Sequence, residues 1–424
     1  MAEKWIKNFD ELATTPNRKM ALEIIESGLD AIGTEKVINS SISLVGSFLF
    51  IKGKSFNLAK FKKIKVVGFG KSSCEAALAL EKILEDRISE GAVIGLKKAD
   101  CKYIETFVGT HPRPSEANIE AGKKIYEIAD RAEESDLIIV LVSGGGSALL
   151  NYPENEIIQG AKLYDSFLKT GKTISVMNTV RKHLSLLKGG GLAKIAYPAT
   201  VVGLIFSDVP GDIFEDVASG PTYRDKTTVA DAKQIIINNN LGEFDLIETS
   251  KENKYFDKVY NFVLVSNKTA VEAMAKKAQE LKLKANIIST DLYDETEKVL
   301  QKIFSAQEDS AVVLAAGEPR IVVKKEGGKG GRNLHMGLKV VKQKLVNENS
   351  VFISFASDGM DNSDVAGAVV DKETVEKVKK LDLNVDNYLA NFDSYNFFQK
   401  TGDIIMTGPT GANVSDLMIL LTKK

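Results

Sequence analysis

Cysteine, histidine and tryptophan are scarce in this chain: its 424 residues include two cysteines, three histidines and one tryptophan. Cys74 and Cys101 cannot supply a disulfide framework or a cysteine-based metal site, and they imply a reducing compartment. His111, His183 and His335 lie far apart, with no HxxxH or CxxC spacing near any of them, which argues against a dedicated zinc site. Long apolar runs are missing too. The longest, such as residues 43–51, fall well short of a membrane span, and the first ten residues have no apolar stretch behind their charges. Nor does one sign of charge prevail: 56 basic residues against 57 acidic ones leave a formal net charge of −1. No global field then draws the chain to nucleic acid or anionic lipid. These absences predict a soluble cytoplasmic protein, monomer or homodimer, whose partners are small molecules and not nucleic acid or membrane.

A composition of 44% apolar and 27% charged residues is that of a folded globular protein, and 424 residues exceed what one core accommodates. About two domains are expected. Residues 15–29 carry apolar positions at helical spacing behind a Thr-Thr-Pro start. From residue 64 onward, short β-rich runs at 64–68, 137–142, 201–206, 262–265, 285–288, 311–315, 351–355 and 404–406 alternate with longer helical ones. That alternation predicts an α/β protein with parallel sheets flanked by helices. The charged stretch 242–258 lacks a long apolar run and sets the expected boundary, giving domains 1–240 and 241–424.

Nearly every apolar run ends in a cluster of Gly, Ser, Asp or Arg, the position at which open α/β sheets bind ligands. After the first run stands GFGKSS with Lys71, either a tight turn or an anion-binding helix start. It is neither a P-loop nor a complete GxGxxG. The second run leads into Ser143, Gly144, Gly145, Gly146 and Ser147, where three successive glycines suit a backbone that must approach a phosphate. Arg181 and Lys182 precede a further triplet, Gly189 to Gly191, and an arginine fork suits a carboxylate or phosphate. Asp208, in SDVPGD, could hold a magnesium ion, orient a hydroxyl, or simply cap a turn. The second half repeats the pattern with Glu318 and Arg320 in GEPR, Arg332 and Asn333 after a glycine-rich loop, and Asp358 in SDGMD.

With these motifs the chain resembles the glycerate 2-kinases whose C-terminal half carries the so-called MOFRL domain. The matching segments are GFGKSS, HPRPSEANIEAG, SGGGSALL, NTVRKHLSLLKGGGLA, SDVPGD with ASGPT, GEPR, GGRN, SDGMDNSDVAGAVVD, FDSY and TGPTGANVSDL, in family order over nearly the whole chain. The resemblance implies an N-terminal Rossmann-like domain with a parallel sheet, a C-terminal MOFRL-type α/β domain and an active site in the cleft between them. It implies transfer of the γ-phosphoryl group of ATP to the 2-hydroxyl of D-glycerate, with a divalent cation, usually magnesium. Lys71 and Arg332 are then the strongest catalytic candidates, and Asp208 and Asp358 the candidates for metal binding or for orienting the hydroxyl. Ser143 to Ser147, Arg181, Lys182, Glu318, Arg320 and Asn333 are the expected substrate and phosphate contacts. Because Lys71 and Arg332 sit at loop or helix starts, replacing either is expected to cost activity and spare the fold. Two departures stand out: Leu334-His335 where the family typically has Gln-Glu, and Asn362-Ser363-Asp364 where it often has Gly-Pro-Thr-Asp.

The competing enzyme reading is a hydroxypyruvate or tartronate-semialdehyde reductase that holds a nicotinamide cofactor on the GxG-like loop. Glu90, 20 residues beyond Gly70, has the spacing of the acid that binds the ribose hydroxyls. A sensor that kept the fold without catalysis should have lost residues such as Lys71 and Arg332, and both are present.

Overall fold

The computed structural model describes residues 4–168, 174–211, 213–323 and 327–424, so Asp212 of SDVPGD lies outside the described residues. The chain forms two compact units: Thr34–Leu264, and Val265–Lys424 joined by the N-terminal segment Met1–Gly33.

The first unit opens with a small antiparallel sheet of β1 (Ile42–Val45), β2 (Phe48–Ile51) and β3 (Lys54–Asn57). Its main sheet contains β4 (Lys63–Phe69), β5 (Ile88–Gly95), β6 (Glu105–Val108), β7 (Asp136–Ser143), β8 (Thr200–Phe206) and β9 (Val259–Val265), in the spatial order β6-β5-β4-β7-β8-β9. The ladders β6–β5, β5–β4, β4–β7 and β7–β8 all run parallel. This is the doubly wound order, and its direction reverses between β4 and β7, so the ligand crevice is expected at the carboxyl ends of those two strands. Every residue of β7 is buried, because helices cover both faces of a parallel sheet. Burying its six aliphatic side chains contributes on the order of 10 kcal/mol. That outweighs the roughly 2–3 kcal/mol of chain entropy lost at the three glycines that follow.

In the second unit, β10 (Lys284–Leu292), β11 (Ala311–Gly317), β12 (Ser350–Ala356), β13 (Gly367–Val370), β14 (Ile404–Ile405) and β15 (Asp416–Thr422) form one sheet in the order β10-β11-β15-β12-β13-β14. Only β10–β11 is parallel; the other ladders are antiparallel. The expected parallel sheet is therefore mixed in this unit. The reason is β15, the last strand of the chain, which inserts between β11 and β12 and runs against both.

The units also divide at other places than the expected 240/241. Residues 241–264 stay with the first unit: Leu241 packs with Leu163, Val180, Leu184 and Ile236, the N–H of Ile247 donates to the carbonyl of His183 at 2.8 Å, and β9 borders β8. The N-terminal helix Pro16–Ile32, capped by Thr15, belongs to the second unit. Arg18, fully buried on that helix, donates to both carboxylate oxygens of Asp371 at 2.7 and 2.6 Å and to Asp403 at 2.9 Å. Removing one partner from such a buried group typically costs about 3–5 kcal/mol, enough to fix which sheet the helix joins. Among the described residues, no helix is long and apolar enough to cross a membrane.

Candidate active site

In the first unit the loops after β4, β7 and β8 converge. Gly70, with φ +125°, lies so close to the next strand that a Cβ there would stand 2.2 Å from Ser143 Oγ. The N–H of Lys71 donates to the carbonyl of Gly144 at 2.8 Å, and the N–H of Ser72 donates to Ser143 Oγ at 3.1 Å. Ser143 is thus buried and latches the two loops together, and its hydroxyl is turned inward. Gly145, in the left-handed region at φ +80°, turns the chain into the short helix Gly146–Leu149. A Cβ on Gly145 would lie 3.1 Å from Lys71 Cγ and 3.2 Å from His111 Cδ2, which places both side chains against the triplet. A Cβ on Gly144 would lie 2.1 Å from Asp208 Oδ2, and one on Gly146 would lie 2.5 Å from the Cβ of Ala218 in ASGPT. Lys71, the glycine triplet and Asp208 therefore meet at the switch point, as the sequence predicts. His111 joins them unforeseen.

The triplet leaves no room for a methyl group at residue 144. Gly144→Ala should displace the Asp208 carboxylate and lower kcat by about a hundredfold, the scale of a misplacement of roughly 1 Å. Steady-state kinetics on the folded variant checks this, and a near-normal kcat would remove Asp208 from the account.

Arg181 stands on the helix Ile174–Lys182. A chain of hydrogen bonds ties it to the triplet loop: Ser147 and Ser219 hydroxyls at 2.9 Å, Ser219 to Asn178 Oδ1 at 3.2 Å, and Arg181 to the same oxygen at 3.5 Å. Burial pulls the Arg181 guanidinium down to about 10, with Tyr164 and Glu156 opposing. Lys182, expected to touch phosphate, is instead engaged by Asp216 at 3.4 Å and Asp225 at 3.5 Å. The second triplet is also structural: a Cβ on Gly190 would lie 2.7 Å from the ring of Phe256, and one on Gly191 would lie 2.0 Å from the carbonyl oxygen of Leu186.

In the second unit Arg332 opens the helix Arg332–Gln343. The Asp361 carboxylate accepts the N–H groups of Asn333 at 3.1 Å and Leu334 at 2.8 Å, capping that helix from a distant loop. Asn333, 1% exposed, donates its side-chain amide to Asp361 at 3.1 Å and Asp416 at 2.9 Å. It holds the carboxylates in place and points away from solvent. Arg332 donates Nε to Asp416 and lies 3.1 Å from Glu318 Oε1 through Nη2. Burial alone would lower the Arg332 pKa, but Asp416 and Glu318 outweigh it and raise it. Burial pushes Asp416 up to about 7 despite the arginine. Arg320 is exposed and donates Nε to the carbonyl of Tyr293 at 2.7 Å. Asp358 accepts the N–H of Met360 at 3.1 Å within its own turn. His335, where the family pattern has a carboxylate, is driven down to about 4 by burial and stacks on Phe392 with centroids 5.6 Å apart.

The sequence reading missed Asp361 and Asp416, although both lie in segments it singled out. Charge next to GGRN would have been a signal only if the pairing of β15 with β11 were known. Among the described residues no three His, Cys, Asp or Glu side chains gather as a metal cage. Magnesium is ordinarily held by one or two carboxylates together with substrate phosphates, so Asp208 at the switch point fits such an ion.

A model described as a domain of unknown function, DUF4147, matches residues 20–250, and the MOFRL family model matches residues 311–416. The glycerate 2-kinase of Pyrococcus horikoshii is 34% identical, covering 95% of this chain and 97% of that protein. A protein of Agrobacterium vitis named, provisionally, as a hydroxypyruvate reductase is also 34% identical, covering 84% of this chain and 86% of its own length. The crystal structure of the glycerate kinase of Thermotoga maritima superposes with a TM-score of 0.82 at 29% identity, covering 95% of this chain and 99% of that one. Matched along nearly its whole length in sequence and in fold, and carrying both family domains, the chain belongs to the glycerate 2-kinase family.

Proposed function

We propose that the protein is an ATP-dependent kinase that transfers the γ-phosphoryl group to the 2-hydroxyl of D-glycerate. The observation that carries this reading is the meeting of Lys71, Gly144 to Gly146 and Asp208 at the carboxyl ends of β4, β7 and β8. Phosphoryl transfer passes through a loose transition state with charge spread over the equatorial oxygens, so positioned cations and backbone donors suffice. The triplet gives backbone close approach to phosphate and Lys71 supplies a cation beside it; in the second unit Asp416 and Glu318 fix the direction of Arg332, the further candidate cation. Asp208 would hold the divalent cation, which supplies neutralisation of phosphate charge when bound. Asp358, held in its own turn, is the second candidate for that ion or for orienting the hydroxyl. Arg181 would hold the acid's carboxylate, so that the neighbouring hydroxyl reacts. The two free cysteines, one buried and one partly so, suit a reducing cytoplasm.

The reductase reading has support in the name of the Agrobacterium relative. Its anchor in this chain is lost, however. Glu90 lies near the amino end of β5, paired in register with Lys65 and within 3.2 Å of Arg131, at the opposite end of the strand from the crevice. The carboxyl end of β5 runs into Leu96-Lys97-Lys98, and the first acid beyond it, Asp100, stands five residues past the strand. Following reduced-nicotinamide absorbance with hydroxypyruvate in the absence of ATP separates the readings: the kinase reading expects no turnover, and steady oxidation would replace it with the reductase.

A further inference from the structure

A cavity of about 20 Å³ in the first unit is lined by Ser147, Asn151, Glu156, Arg181 and Lys188, with two prolines at its rim. Lys188 and Glu156 form an ion pair whose side chains are 1% and 4% exposed. Glu156 is fixed in turn, accepting the N–H of Tyr152 at 2.8 Å. Arg181, across the cavity, reaches Asn178 at 3.5 Å and interacts with Glu156 through space, with no carboxylate within ion-pair distance among the described residues. Two cations thus face one carboxylate in this space. The residual positive charge favours an anion, because Lys188 and Glu156 are buried and Arg181 is half-buried. Size then decides which anion. A water needs about 10–15 Å³ of such volume, so the cavity admits one or two water-sized groups. That is the scale of a carboxylate's two oxygens. Ser147 belongs to the glycine-triplet loop, so an acid anchored here has its adjoining hydroxyl directed at the loop assigned to phosphate.

We propose that this cavity receives the carboxylate of a small 2-hydroxy acid, with Lys188, fixed by Glu156, as a second cation beside Arg181. The proposal rests on the kinase reading and adds residues that the reading does not need. Its test is the double variant Lys188→Met with Glu156→Gln, which removes the buried ion pair as a unit, keeps the net charge of the cavity on Arg181, and nearly preserves volume. In coupled assays the KM for D-glycerate should rise about tenfold or more, the scale of a lost charge-assisted hydrogen bond, while the KM for ATP stays within about twofold. Preference for glycerate over its neutral amide should narrow in parallel. An unchanged KM for glycerate, an equal fall in kcat/KM for acid and amide, or a loss expressed in the KM for ATP would each overturn the assignment. Should the double variant not fold, Arg181→Gln breaks no ion pair among the described residues, and an unchanged acid preference in that variant would overturn the proposal equally. Absence of any ATP-dependent transfer by the wild-type protein would instead defeat the kinase reading itself.

Discussion

Lys71→Met should lower kcat by about a hundredfold or more, the scale of removing one preorganised charge stabiliser, and leave the melting temperature nearly unchanged. The backbone N–H of Lys71 donates to Gly144, and methionine keeps that bond. The Lys71 side chain runs past Gly145 at the switch point, where, in the proposed reaction, the ammonium would meet the charge that develops during transfer. An interaction stronger in the transition state than in the ground state appears in kcat, whereas a uniform binder appears in KM. A variant with near-normal kcat and a raised KM for ATP would make Lys71 a ground-state contact and withdraw its catalytic role.

Arg332→Ala should also lower kcat by about a hundredfold, but here the fold is not spared. The position at a helix start suggests a dispensable side chain, whereas the structure pairs it with Asp416, which is buried at the head of β15. The loss of stability should stay below the ~3–5 kcal/mol typical of a fully buried pair, because 36% of the Arg332 side chain meets solvent. It should also depend on pH. Burial raises Asp416 to about 7 from an ordinary value near 4, so the folded state retains a proton that the unfolded state has released. Folding stability accordingly falls as pH rises through that window and levels off above it. At pH 5 Asp416 is neutral in both proteins, and losing its cation costs little. At pH 8 the wild-type carboxylate is charged and needs Arg332. Thermal melts should therefore show a small difference between wild type and variant at pH 5 that widens toward pH 8. A difference independent of pH would mean that Asp416 does not titrate against Arg332.

Much of the first unit was legible in the sequence because its information is local. An unbroken aliphatic run such as Leu137 to Val142 announces a strand buried on both faces, and the glycines behind it mark the carboxyl end where phosphate binds. The parallel pairing follows from the same alternation, whereas the Rossmann-like arrangement was implied by the family resemblance. The second unit was less legible because its organisation depends on long-range pairing. Nothing near residues 416–422 says that they insert between β11 and β12, and only that insertion brings Asp416 to Arg332. Nothing local announces that Asp371 and Asp403 surround Arg18 on the N-terminal helix. Likewise the charged stretch near residue 250 looks like a linker, yet Thr249 and Lys251 bind Asp225 at 2.9 and 3.4 Å and keep it on the first unit. Glycine runs mislead in the other direction: Gly144 to Gly146 border Lys71 and Asp208, while Gly189 to Gly191 only make room for close packing.

The most direct test of the account is phosphorus NMR of the product formed from ATP and D-glycerate. An acceptor whose carboxylate is anchored beside the reacting hydroxyl should yield ADP and 2-phosphoglycerate in equal amounts, with no product from glycerol, which lacks the carboxylate. A product consisting mainly of 3-phosphoglycerate, or equal phosphorylation of glycerol, would contradict the assignment of the 2-hydroxyl and of Arg181 to the acceptor site.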